Sequence, residues 1–132
     1  WYNSSAEKLP FKNETFDIYV VRFGIRNFSN IKLALKESRR VLKTGGRFLC
    51  LEFSKVNNEV FSEIYKKYSK LIPSVGKYVV SKSEPYDYLI KSIEDFYNQE
   101  ELLNLIRQAG YQNTEYRDLS GGIAAIHSGW KI

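Results

Sequence analysis

The 132 residues carry 43 % hydrophobic and 15 % aromatic side chains, the composition of packed globular material, which excludes wholesale disorder. Twenty Lys/Arg against fifteen Asp/Glu leave +5, which suits nucleic acid, an anionic membrane surface or a plain solvated surface alike. One cysteine and one histidine exclude an internal disulfide and a Cys/His zinc site, and no apolar run approaches the ~20 residues of a membrane helix. There is no methionine, which is expected of a processed form or a piece of a longer protein, and the start Trp1-Tyr2-Asn3-Ser4-Ser5 lacks the basic stretch and apolar core of a signal peptide.

The first ten residues read as loop, ending at Leu9-Pro10-Phe11, and Asn13-Glu14 reads as a turn. Phe16 to Phe23 is aromatic and β-branched, with apolar residues in succession. That predicts a strand buried on both faces, as in a parallel sheet. Gly24 to Asn30 is a loop. Asn30 is placed to cap a helix that runs to Lys43 and stops at Gly45-Gly46. Ile31, Ala34, Leu35, Ser38, Val41 and Leu42 form its apolar face. Lys32, Lys36, Arg39, Arg40 and Lys43 form the opposite one, read as a solvated back, with contact to anionic phospholipid as the sharper alternative. Nucleic acid is disfavoured, because no helix-turn-helix, finger or aromatic-basic strand motif accompanies the charge. Arg47 to Phe53 predicts a second buried strand and completes a right-handed parallel crossover.

Further on, Val60, Phe61, Ile64, Tyr65, Tyr68, Leu71 and Ile72 share a helical face that Pro73 ends. Residues 74–84 read as irregular, and Pro85 opens a short helix with Tyr86, Leu89, Ile90 and Ile93. Asn98 and Glu101 make a capping-box pattern, starting a helix with Leu102, Leu103, Ile106 and Ala109 inward and Gly110 at its end. Two strands, Thr114–Leu119 and Ile123–Ile132, flank Gly121-Gly122 as an antiparallel hairpin. The fold class is α/β: a parallel pair, a helical insert and a terminal hairpin.

Ligands of open parallel sheets bind beyond the carboxyl ends of the strands. The first strand leads to Arg22-Phe23-Gly24-Ile25-Arg26-Asn27, the second to Glu52-Phe53-Ser54-Lys55. Arg26 is a permanent cation, and Asn27 an amide that both donates and accepts; loop stabilisation is the plainer reading of the pair. Glu52 in a buried strand needs a partner, and orienting a loop or an arginine is its expected task. His127 reads as a hydrogen-bonded structural residue. No Walker, GxGxxG or GxSxG pattern occurs.

The run Arg40-Val41-Leu42-Lys43-Thr44-Gly45-Gly46-Arg47-Phe48-Leu49-Cys50-Leu51-Glu52-Phe53-Ser54 closely resembles a signature of the UbiE-type ubiquinone/menaquinone biosynthesis C-methyltransferases, with Thr44 where proline or valine is usual. Phe23-Gly24-Ile25-Arg26-Asn27, Ala6-Glu7-x-Leu9-Pro10-Phe11, Tyr88-Leu89-x-x-Ser92-Ile93 and His127-x-Gly129-x-Lys131 resemble further segments of that family, so the likeness covers essentially the whole chain.

The resemblance implies a partial Rossmann-like class I methyltransferase fold. Residues 1–132 would be the C-terminal part of one domain, holding strands four to seven in the spatial order 4-5-7-6. The family's glycine-rich first strand-loop and the acidic residue after its second strand are not in this sequence. S-adenosylmethionine is the implied cofactor, met by Ser5, Ala6 and Arg22, the last a bulky cation where a small residue is usual. The implied reaction is methyl transfer to the ring carbon of a polyprenyl benzoquinol or naphthoquinol, with Arg26 stabilising the phenolate and Asn27 orienting the ring. The insert Asn57–Phe96 would supply the apolar wall, Tyr65 and Tyr88 being the substrate contacts. No metal is implied. Implied partners are a membrane surface, a quinone-synthesis complex and a second copy pairing at the edge of Phe16–Phe23. The implied location is the cytoplasmic side in a bacterial source, or the matrix side of the mitochondrial inner membrane in a eukaryotic one. A non-catalytic fragment that binds a membrane or a complex, and a same-fold methyltransferase of another small molecule, are the alternatives.

Overall fold

The computed structural model describes residues 1–55 and 83–132, together with Glu59 and Glu63. In chain order these form β1 (Phe16–Arg22), α1 (Ile31–Val41), β2 (Leu42–Phe53), α2 (Ser83–Glu94), α3 (Gln99–Gln108), β3 (Gln112–Leu119) and β4 (Ala124–Trp130). The four strands make one sheet in the order β1-β2-β4-β3, with β1 and β2 parallel and the other neighbours antiparallel. That is the spatial order the resemblance implies.

Parallel neighbours need a crossover, and α1 supplies it. Its first turn is capped as expected, Asn30 Oδ1 accepting from the Leu33 N–H at 3.1 Å. Ala34, Leu35, Ser38 and Val41 turn inward. The helix end differs from the expectation. It stops at Val41, and Leu42 is already extended and paired with Phe16. Gly45-Gly46 therefore lies inside β2 and is not a helix stop. Gly46 serves close approach: a Cβ there would fall 2.8 Å from the Lys43 carbonyl oxygen and 3.1 Å from that of Asp17. Pairing with strands on both sides wins over one further helical turn. Lys43 thus leaves the basic helix face and ion-pairs with Asp17 at 3.2 Å.

The rest of the basic face is only partly a solvated back. Arg39 Nε donates to the Gly110 carbonyl. Arg40 reaches across to the N-terminal loop, donating to the carbonyls of Phe11 and Leu9 and to Asn13 Oδ1 while gripping Glu37 with two nitrogens. That bond to Arg40 holds the Glu37 carboxyl below its usual range.

α1 and α3 cover one face of the sheet. Phe48, Cys50, Leu35, Leu102, Ile106 and Tyr111 form the core there, with Phe16, Tyr19 and Val21 of β1 packed against it. The opposite face is open among the described residues, so β1 is not buried on both faces as expected: Ile18 is 58 % and Val20 63 % exposed. Burial raises the pKa of the Cys50 thiol at the centre of the sheet.

The later elements follow the sequence closely. Asn98 Oδ1 accepts from the Glu101 N–H, and Glu101 Oε1 from that of Asn98, a complete capping box. Gly110, at φ +104°, ends α3. β3 and β4 form the expected hairpin around the turn Ser120–Gly122. α2 already includes Ser83 and Glu84, so the helix does not open at the expected Pro85. The apolar face expected over 60–72, Tyr65 included, lies outside the described residues.

Candidate functional site at the carboxyl ends of β1 and β2

The loop after β1 is built by a sharp change of direction. Phe23 takes a left-handed conformation at φ 51°, and its N–H still donates to the Leu51 carbonyl at 2.8 Å. The chain then closes a 3-10 turn over Ile25–Asn27. Ile25, 1 % exposed, plugs that turn into the core and fixes its neighbours Arg26 and Asn27 at the end of the sheet.

Glu52 supplies the counter-charge from β2. It is 2 % exposed, and its carboxylate accepts from Arg26 Nη1 at 2.6 Å, from the Phe53 N–H at 2.9 Å and from the Arg26 N–H at 3.4 Å. The expectation that Glu52 orients a loop and an arginine is met in one residue. A buried carboxylate is costly without such partners. Arg26 is further held by the Phe23 carbonyl on Nη1 at 3.0 Å and by Ser92 Oγ on Nε at 3.2 Å. Its guanidinium carbon stands 5.5 Å from the centre of the Phe53 ring, which packs against Phe23. Among the described residues Nη2 has no acceptor.

These groups face a cavity of 470 Å³ between the loop and α2, lined by Arg26, Asn27, Tyr88, Lys91, Ser92, Asp95 and Phe96. The structure therefore brings together three of the expected residues, Arg26, Asn27 and Tyr88. It does not bring Ser5, Ala6 and Arg22 to that cavity. Ser5 and Ala6 sit in the N-terminal loop, closed by a bridge between Ser5 and Lys8. Ser5 Oγ donates to Glu7, whose other oxygen accepts from the Asn30 N–H, so the loop is moored to the start of α1. Arg22 is exposed at the end of β1, paired with Leu51.

Sequence reasoning gave no role to Ser92, Lys91, Asp95 or Phe96. Their pattern with Tyr88 is the available clue: positions 88, 91, 92 and 95 share one face of a helix. His127 lies elsewhere and is structural, as expected. Its Nε2 meets the Gln99 carbonyl at 2.9 Å, and burial lowers the pKa of the imidazole. Among the described residues no group of three or more His, Cys, Asp or Glu side chains is placed to hold a metal. The arrangement at Arg26 offers a positive donor, an amide and an aromatic wall. Such a set has the chemistry to stabilise an oxyanion on a ring-shaped ligand.

Residues 1–131 match the family model described as the ubiE/COQ5 methyltransferase family. The ubiquinone/menaquinone biosynthesis C-methyltransferase UbiE of Rickettsia akari is 50 % identical over 130 residues, which are 98 % of this chain and 52 % of that protein. The mitochondrial 2-methoxy-6-polyprenyl-1,4-benzoquinol methylase of Rattus norvegicus is 49 % identical over 133 residues, 100 % of this chain and 41 % of that protein. The chain thus spans about half the length of these relatives or less. Among solved structures, a SAM-dependent methyltransferase of Thermotoga maritima superposes with a TM-score of 0.67 at 23 % identity, covering 98 % of this chain and 62 % of that one, a likeness of fold.

Proposed function

We propose a function from one premise: this chain belongs to the ubiE/COQ5 methyltransferase family. The whole protein transfers a methyl group from S-adenosylmethionine to a ring carbon of a polyprenyl benzoquinol or naphthoquinol, in ubiquinone or menaquinone synthesis. The observation that carries this reading is the cavity in which Arg26 and Asn27 stand together on a turn held by buried Glu52. The names of the relatives supply the substrate class.

A phenol ring carbon is a weak nucleophile until the hydroxyl proton has left. Arg26 keeps its own proton at any working pH and is no base. Its task is to lower the cost of the phenolate, as a fixed cation already oriented before substrate arrives, while the proton passes to water. Nη2 is the donor left for that oxygen. Asn27 holds the ring by its amide. Tyr88 lines the cavity while 69 % exposed, which suits the apolar wall where a prenyl tail enters; Tyr65, outside the described residues, is the second substrate contact of this reading.

Bound S-adenosylmethionine supplies an electrophilic methyl group on a sulfonium. Ser5, Ala6 and Arg22 are the residues assigned to hold it. With Ser5 Oγ engaged by Glu7, the loop presents the Ala6 methyl and its backbone to an adenine ring, and Arg22 presents an exposed cation. Peripheral contact with an anionic membrane, membership of a quinone-synthesis complex and pairing of two copies complete the reading. Lys32 and Lys36 of α1 are exposed, beside Leu105, Gln108 and Ala109 at the end of α3, and offer two cations for such contact, and among the described residues no helix is long and apolar enough to cross a membrane. The location follows the source: the matrix side of the mitochondrial inner membrane in a eukaryote, as the rat relative's name suggests, and the cytoplasmic side in a bacterium.

The test is Arg26→Ala in the full-length protein, measured at saturating quinol and cofactor. Turnover is expected to fall roughly 100-fold or more, the scale of losing one preorganised oxyanion donor. Unchanged turnover overturns the assignment.

A further inference from the structure

The segment Tyr88-Leu89-x-x-Ser92-Ile93 has so far only its likeness to a family to explain it. The structure gives it a physical content. Ile93, 5 % exposed, anchors α2 in the core. One residue earlier, Ser92 Oγ donates its proton to the Leu89 carbonyl at 2.7 Å. A hydroxyl has one proton, so Ser92 can only accept on its other side. The group on that side is Arg26 Nε, 3.2 Å away and 66 residues earlier in the sequence.

We propose that Ser92 is a positioning residue: α2 presents its hydroxyl as a fixed acceptor that orients the Arg26 guanidinium and leaves Nη2 free for the substrate oxygen. This rests on the role given to Arg26 above. Three elements grip that one side chain. The Phe23 carbonyl and Glu52 take Nη1, at 3.0 and 2.6 Å, and Ser92 takes Nε. The first two come from the ends of the two parallel strands and hold a single nitrogen. They leave the planar group a swing about that nitrogen. A third acceptor on Nε, at another corner of the plane, removes the swing. It also couples the site to the insert: the guanidinium reaches its working orientation only when α2 is docked. Lys91 and Tyr88 come to the cavity on the same helix.

The experiment compares Ser92→Ala, Ser92→Thr and Arg26→Ala in the full-length protein, together with the double variant S92A/R26A. Ser92→Ala is expected to lower turnover about tenfold, the scale of one hydrogen bond to a charged group. The KM for S-adenosylmethionine should be unchanged, and the melting temperature should fall slightly, since one bond to a charged group is lost. Ser92→Thr, which keeps the hydroxyl, should recover most of the rate. In the Arg26→Ala background the Ser92 change should cost nothing further, because both act through one group. A full tenfold loss in that background, or wild-type turnover in Ser92→Ala, overturns the proposal. If Arg26→Ala alone leaves turnover intact, the role of Arg26 fails and this inference falls with it. If Arg26→Ala collapses turnover while Ser92→Ala does not, only the positioning role fails.

Discussion

Two arginine–glutamate pairs sit at opposite ends of the parallel strands, and their difference separates a staple from a site. Arg40 engages all five of its N–H groups with the chain, on both Glu37 oxygens, the carbonyls of Phe11 and Leu9 and Asn13 Oδ1. It is half-exposed, with Glu37 only three residues before it on the same helix. Among the described residues Arg26 makes three side-chain hydrogen bonds, to Glu52, Phe23 and Ser92. Its side chain is only 10 % exposed, against 31 % for Arg40, and its partner Glu52 comes from β2. The residue with every donor committed fastens a loop. The residue with a donor to spare, aimed at a cavity, has capacity left for a ligand.

The sharpest way to break the contrast is to neutralise the carboxylate in each pair. Glu52→Gln leaves the Arg26 charge buried without its counter-ion and should cost about 3–5 kcal/mol of stability. Glu37→Gln, in a more solvated pair, should cost about 1 kcal/mol or less. Denaturant unfolding of the two variants measures the difference, and equal losses would erase the distinction.

The next effect is smaller. Arg40→Ala should lower stability by about 1–3 kcal/mol through its lost charged hydrogen bonds and loosen residues 9–13. Turnover at saturating substrates should hold, in contrast with Arg26→Ala. A rise in the KM for S-adenosylmethionine is expected if the neighbouring Ser5-Ala6 loop holds the cofactor. Steady-state kinetics beside a melting curve distinguishes the two outcomes, and a collapse of turnover would place Arg40 with Arg26.

The smallest effect lies outside both pairs. Buried His127 has a pKa below its ordinary 6.5, so the unfolded chain binds the proton more readily. Its contribution is complete above pH 6.5 and declines as the pH falls below that value. Glu37 and Glu7, held low by their hydrogen bonds to Arg40 and Ser5, act in a separate window below 4.5. Melting curves between pH 7 and 5 should slope gently in the parent protein and run flat in His127→Asn. The same slope in both would assign it to another group.

What the sequence made legible was local or periodic. The Asn30 cap, the Asn98–Glu101 box, the crossover and the terminal hairpin all rest on neighbours within a few residues or on a repeating pattern. Glu52 could be read as needing a partner, because a lone carboxylate in a buried strand is unstable on any fold. The end of α1 was not legible. The glycines at 45 and 46 look like a stop until β1 and Lys131 are seen pairing on either side of them. The role of Arg40 was hidden for a similar reason, since its partners lie 27–31 residues back in a loop with no periodicity. Ser92 is the extreme case: nothing in a helix pattern says which distant arginine a hydroxyl will meet.

Cys50 has a consequence for watching this molecule move. It is the only cysteine of the chain, wholly buried in β2 with Val21 on one flank and His127 on the other, and its thiol is held protonated. An alkylating reagent reaches it only after the strands part. Nature has thus installed a single-use clock at the middle of the sheet, one that ticks on opening and needs no engineered label to be read.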